Sequence, residues 1–165
     1  MNRESFRPLF DRLIPLAARW VEVWEEHILR AGVPLTDEEH AAARKLGVRD
    51  PARVRLFCLA AVPQPVDRGL KATAAAIRFL TPATRGLALR YGIFVRRDCW
   101  RDRSLITHEL VHTAQYERLG GIEPFLRQYL WECLINGYLQ APLEQEAILT
   151  TASLSAENAA LESVS

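Results

Sequence analysis

Thr107-His108-Glu109-Leu110-Val111-His112-Thr113 is the stretch on which the reading of this chain turns. Leu105, Leu110, Val111 and Ala114 recur around it at helical steps, so the segment is expected inside a helix that Asp102 or Ser104 caps and Gly120-Gly121 stops. Residues four apart stack on one helical face, which sets the imidazoles of His108 and His112 side by side, able to share one Zn2+ ion at ~2.0–2.1 Å each. Glu109 is offset by one position and falls beside such an ion rather than on it. There its carboxylate can take a proton from an attacking water and pass it to a leaving group. With four His in the chain, random order produces H-E-x-x-H on the order of once in a hundred such sequences, which makes coincidence a weak explanation. His27 and His40 have no partner at ligand spacing and read as solvated or capped side chains.

A catalytic zinc site needs a third protein ligand and an open fourth position. No His or Asp follows His112, so a downstream ligand must be a carboxylate, with Glu117, Glu123, Glu132, Glu144 and Glu146 as candidates. Glu117 lies on the wrong face of the motif helix, and Glu132 sits in mid-helix beside Trp131 and Cys133. Leu143-Glu144-Gln145-Glu146-Ala147 opens a helix just after Pro142, from which a carboxylate can face the motif helix. Glu144 is the first choice and Glu146 the reserve; the competing reading of each is a solvated first-turn glutamate favoured by the helix dipole.

Outward from the motif, residues 54–59 and 87–95 are apolar, rich in strand formers and bounded by turn residues, and each is read as one strand. Gly92 marks a bulge or a close backbone approach. Upstream, Phe6, Phe10, Leu13, Ala17, Trp20, Val21, Trp24 and Ile28 recur at helical spacing, with Pro15 expected to break or kink the helix. Thr36 with Glu39 forms a capping pattern that opens a second helix ending at Gly47. A further helix is expected over residues 70–79, another from Pro124 to Gly137, and a last one from Pro142 to about Leu154. The fold class is therefore α+β, mostly helical with a small sheet. It is read as one domain over 1–165: a helical hairpin (1–48), a metal-binding core (52–154) and a frayed tail (155–165).

Length and charge agree with one core, since 165 residues are short for two domains. Twenty-one Lys+Arg against twenty Asp+Glu leave a formal charge of +1, which gives no field to gather nucleic acid or an anionic membrane. Apolar runs are broken well before the ~20 residues a spanning helix needs. The start of the chain lacks the pattern of a secretory signal, so a cytoplasmic location is expected. Three widely spaced cysteines, Cys58, Cys99 and Cys133, read as free thiols. Arg96, Arg97, Arg101 and Arg103 form a basic cluster read as surface ion pairs.

Over residues 87–154 the chain resembles the gluzincin branch of zincin metallopeptidases, in particular small bacterial members. His-Glu-Leu-Val-His-Thr-Ala-Gln-Tyr from His108 is similar to the start of several such groups, and Glu144-Gln145-Glu146-Ala147 looks like their E-x-x-A pattern. The resemblance implies a zincin-like fold with His108, His112 and Glu144 as zinc ligands and Glu109 as general base, acting on a peptide or protein substrate. It also implies an edge strand before the motif helix, here residues 87–95, that pairs with extended substrate, and a tyrosine ahead of the third ligand, here Tyr138, that stabilises the oxyanion. One position departs from the pattern. Where many gluzincins place an acid four residues after the ligand glutamate, this chain has Ile148, so Gln115, a hydroxyl or a carbonyl is expected to hold the His108 ring instead. Two other classes fit the residues: a zinc scaffold that binds peptide or a protein partner without cutting, and a metal-free helical interaction protein docking through Trp20 and Trp24.

Overall fold

The structure is a computed structural model that describes residues 3–77 and 79–163. It contains six α-helices, α1 (Arg3–Ala31), α2 (Asp37–Lys45), α3 (Arg68–Ala76), α4 (Arg103–Leu119), α5 (Ile122–Asn136) and α6 (Pro142–Glu162). Four strands, β1 (Val33–Pro34), β2 (Arg55–Leu59), β3 (Gly86–Leu89) and β4 (Gly92–Arg96), form one mixed sheet in the order β1-β2-β4-β3. The β2–β4 pair is parallel and the two outer pairs are antiparallel. The class is α+β and mostly helical, and among the described residues no helix is long and apolar enough to cross a membrane.

The core lies between the sheet and α1, α4 and α5, with Ile14, Ile28, Leu56, Ile93, Phe94, Ile106, Leu110 and Leu126 all but sealed from solvent. Pro15 does not break α1, which runs through both Pro8 and Pro15. The apolar stripe over Phe10, Ile14, Ala17, Val21 and Ile28 is buried along its length, and packing on that scale outweighs one lost helical hydrogen bond. Trp20 and Trp24 pack against this core rather than standing free. The two opening helices pack chiefly on other elements rather than on each other. The chain between α1 and α2 pairs with β2 as strand β1, α1 lies against β2, β4 and α5, and α2 packs on α4. Thr36 and Glu39 do make the reciprocal capping bonds.

Residues 87–95 are two strands, not one. They fold back at Arg90 and Tyr91, neither a residue that a tight hairpin turn selects, and Arg90 takes a positive φ of 60°. Tertiary contacts hold that turn. Buried Glu25 of α1 accepts hydrogen bonds from Arg90 Nε (2.9 Å), Arg90 Nη2 (2.6 Å) and the Tyr91 amide (3.0 Å), and Thr113 Oγ1 donates to the Arg90 carbonyl at 2.7 Å. Gly92 marks a close approach: a Cβ there would sit 3.0 Å from Ile28 Cβ. As a result β4, the strand that leads into α4, is interior, and the sheet edge facing the motif helix is β3.

Asp102 caps α4 by accepting from the Leu105 amide, and Gly120 ends the helix in the left-handed conformation. The third helix covers Arg68–Ala76 rather than 70–79; Asp67 caps it, and residue 78 lies outside the described residues. The last helix does not stop near Leu154 but continues to Glu162. No Gly or Pro interrupts it after Pro142, and Leu154 is still buried, so a run of small polar residues does not by itself end the helix. Val164 and Ser165 lie outside the described residues.

Candidate metal centre

Three donor atoms converge from two helices. His108 Nε2 and His112 Nε2, one turn apart on α4, are 3.1 Å from each other. Glu144, in the first turn of α6, places Oε1 3.2 Å from His108 Nε2 and Oε2 3.3 Å from His112 Nε2. Ligands bound at ~2.0–2.2 Å to a tetrahedral ion stand about 3.3 Å apart, so the spacing suits one shared cation. Among the described residues these three form the group of His, Cys, Asp and Glu side chains able to hold a metal ion.

The surroundings fix which lone pairs face the centre. Gln115 is fully buried on α4; its Nε2 donates to the Leu143 carbonyl (2.9 Å), which turns its Oε1 toward His112 Nδ1 at 2.8 Å. A neutral His112 ring is thereby held with its proton on Nδ1, which leaves the Nε2 lone pair for a metal at the centre. Gln115 thus holds the ring of His112, not that of His108 as the sequence suggests. Tyr129 of α5 donates its hydroxyl to Glu144 Oε2 at 2.7 Å. Burial works against ionisation of Glu144, but hydrogen bonds and charge from His108 and His112 prevail and hold its carboxyl well below the usual range. For His108, burial disfavours the charged ring, but the Glu144 hydrogen bond and the negative charges of Glu109 and Glu144 together outweigh it, raising the ring above its ordinary value.

Glu109 points from α4 toward strand β3 and is buried beside the three donors. Burial is the main cause of its raised pKa; the two histidines and the Ala88 backbone amide pull the other way. Tyr138 lies in a single 3-10 turn between α5 and α6, lining both the space around Glu109 and the outer cleft. Burial, then the charges of Glu144 and Glu109, push its hydroxyl well above the ordinary range. The cleft outside is open, about 1290 Å³, and reaches from Gly86 and His108 to Ile148 and Ser155 on α6.

The other candidate carboxylates each have a structural task. Glu132 accepts the Leu143 amide at 2.8 Å and so caps α6. Glu117 accepts the Arg49 amide and the Tyr91 hydroxyl. Glu146 pairs with Arg118, and Glu123 with Arg127. Three of the four arginines of the basic cluster are engaged in ion pairs: Arg96 with Asp98, Arg101 with Glu39 and Arg103 with Glu38. Cys99 is buried and accepts from Arg85 Nε. Sequence does not single out Tyr129. Its position fifteen residues ahead of Glu144, across a helix end and a turn, gives no periodic signal that would link the two.

No family model, curated protein or solved structure matches the chain.

Proposed function

We propose that the chain is a zinc-dependent hydrolase, a metallopeptidase with a zincin-like fold of the gluzincin type that His108, His112 and Glu144 imply. The observation that carries this reading is the 3.1–3.3 Å convergence of those three donors with the Glu109 carboxyl buried alongside. Two imidazole nitrogens and a carboxylate with an open approach suit zinc better than calcium or magnesium, which prefer all-oxygen shells. The chemistry a zinc ion supplies at such a site is Lewis-acid polarisation of a carbonyl and easier ionisation of water.

Glu109 acts on the proton. As an ionised carboxylate it accepts one from the attacking water, and as a carboxylic acid it returns it to the departing amine. Its raised pKa favours the second half of that exchange. Tyr138, at the cleft wall, donates to the developing oxyanion, a contact typically worth ~2.7–4 kcal/mol. Substrate backbone adds along the outer edge of β3, but only near Gly86, because the Tyr116 hydroxyl already occupies the Ala88 carbonyl.

The test is peptide-library cleavage by zinc-loaded wild type and Glu109→Gln, with metal content measured on the same samples. Both proteins retain zinc and only the wild type cuts. Cleavage by purified Glu109→Gln refutes the mechanism, and zinc uptake without cleavage by the wild type moves the chain to the class of zinc scaffolds.

A further inference from the structure

Strand β3 and helix α4 meet at one point of unusual closeness. A Cβ built on Gly86 would lie 2.6 Å from Glu109 Oε1, 3.1 Å from Glu109 Cδ and 3.0 Å from Leu105 Cδ1. Ordinary contacts begin at 3.4 Å, so a side chain at position 86 would push the carboxylate away by about 0.8 Å.

The backbone does not call for glycine here. Gly86 is absent from the positive-φ residues and pairs in register with Val95 in an antiparallel ladder, a conformation in which glycine only weakens a strand. Parity shows what the position faces. The Arg96 amide donates to the Arg85 carbonyl at 2.8 Å. In that register the amides and carbonyls of Gly86 and Ala88 point away from β4, toward the outer edge of the sheet. The Ala88 carbonyl receives the Tyr116 hydroxyl from α4 at 3.3 Å, so helix and strand edge are locked together one rung beyond the closest approach.

We infer that Gly86 is a positioning residue for Glu109: the bare backbone of β3 is the seat against which the carboxylate rests. The kinetic consequence relies on Glu109 being the general base proposed above, whereas the steric seat does not. With the seat filled, a displacement approaching 1 Å lowers kcat on the order of 10²-fold. The atoms nearest to a Cβ at position 86 belong to Glu109 and Leu105 rather than to the three donors, so zinc affinity and KM stay within about twofold.

Two measurements test the inference. The first compares thermal unfolding of wild type, Gly86→Ala, Glu109→Ala and the double variant, all in chelator. Gly86→Ala lowers Tm by at least about 2–4 °C when Glu109 is present, and leaves it unchanged or raised when residue 109 is Ala. An equal drop in both backgrounds, or none in either, overturns the seat. The second measures zinc affinity and peptide cleavage of zinc-loaded Gly86→Ala, where kcat alone falls. Wild-type kcat, or a loss confined to KM or zinc affinity, overturns the positioning role. If the wild type cuts no peptide, the hydrolase reading fails, and the unfolding cycle still decides whether Gly86 seats Glu109.

Discussion

Replacing Gln115 by Leu removes two hydrogen bonds while nearly conserving volume. It strips the Leu143 carbonyl of its donor and His112 Nδ1 of its acceptor, in a place where Gln115 itself has no solvent exposure. A buried polar group left unpaired costs about 1–3 kcal/mol, so the metal-free protein should lose about 2–4 kcal/mol after the gain from the apolar side chain. For a chain of this length that corresponds to a Tm lower by about 4–16 °C. The second effect falls on the metal. With neither its tautomer nor its ring orientation fixed, His112 becomes a poorer ligand, and zinc affinity falls about 10–100-fold. Differential scanning calorimetry in chelator gives the first number and competition against a chromogenic chelator gives the second. Wild-type zinc affinity in a folded Gln115→Leu protein refutes the reasoning, because Gln115 would then be a packing residue with no influence on the ring it contacts.

Glu144→Gln should lose zinc binding by isothermal titration, whereas Glu146→Gln should keep it, since Glu146 is engaged with Arg118; the reverse result would assign the third ligand to Glu146. Glu25→Ala should destabilise the fold by about 3 kcal/mol in urea titrations, at the low end for a broken buried pair because a third of the Arg90 side chain reaches solvent. A value near zero would mean that the turn at Arg90 holds without α1. Burial, then the charges of Glu144 and Glu132, push the Cys133 thiol up to about 12. At pH 8 only ~10⁻⁴ of it is thiolate, so iodoacetamide should leave Cys133 unmodified in the folded chain and label it in urea, as read by mass spectrometry. Rapid labelling of the native protein would contradict that burial.

What is legible in the sequence depends on how local its signal is. The cap at Asp102, the capping box at Thr36, the spacing of His108 and His112 and the proline that opens α6 all act within four residues, and each stands where the local pattern puts it. Among the downstream glutamates the sequence prefers Glu144, with Glu146 in reserve and Glu117 and Glu132 still open, and the structure brings Glu144 to the two imidazoles. The misreadings arise where a distant contact overrules local preference. Residues 87–95 look like one strand because nothing in them announces a turn; Glu25, 65 residues away from Arg90, makes it. Pro15 looks like a helix breaker until the burial of α1 is counted. Gln115 and Tyr129, which hold His112 and Glu144, are ordinary helix residues whose roles exist only once α5 and α6 are packed against α4.

The central claim is that one zinc ion sits between two imidazoles of α4 and a carboxylate of α6. Anomalous diffraction at the zinc edge from crystals grown with zinc tests it most directly. One strong peak per chain is expected, ~2.0–2.2 Å from His108 Nε2, His112 Nε2 and one Glu144 oxygen, with Glu109 close by but not bound. A peak held by other residues, a centre lacking Glu144, or no peak at that meeting point would contradict it.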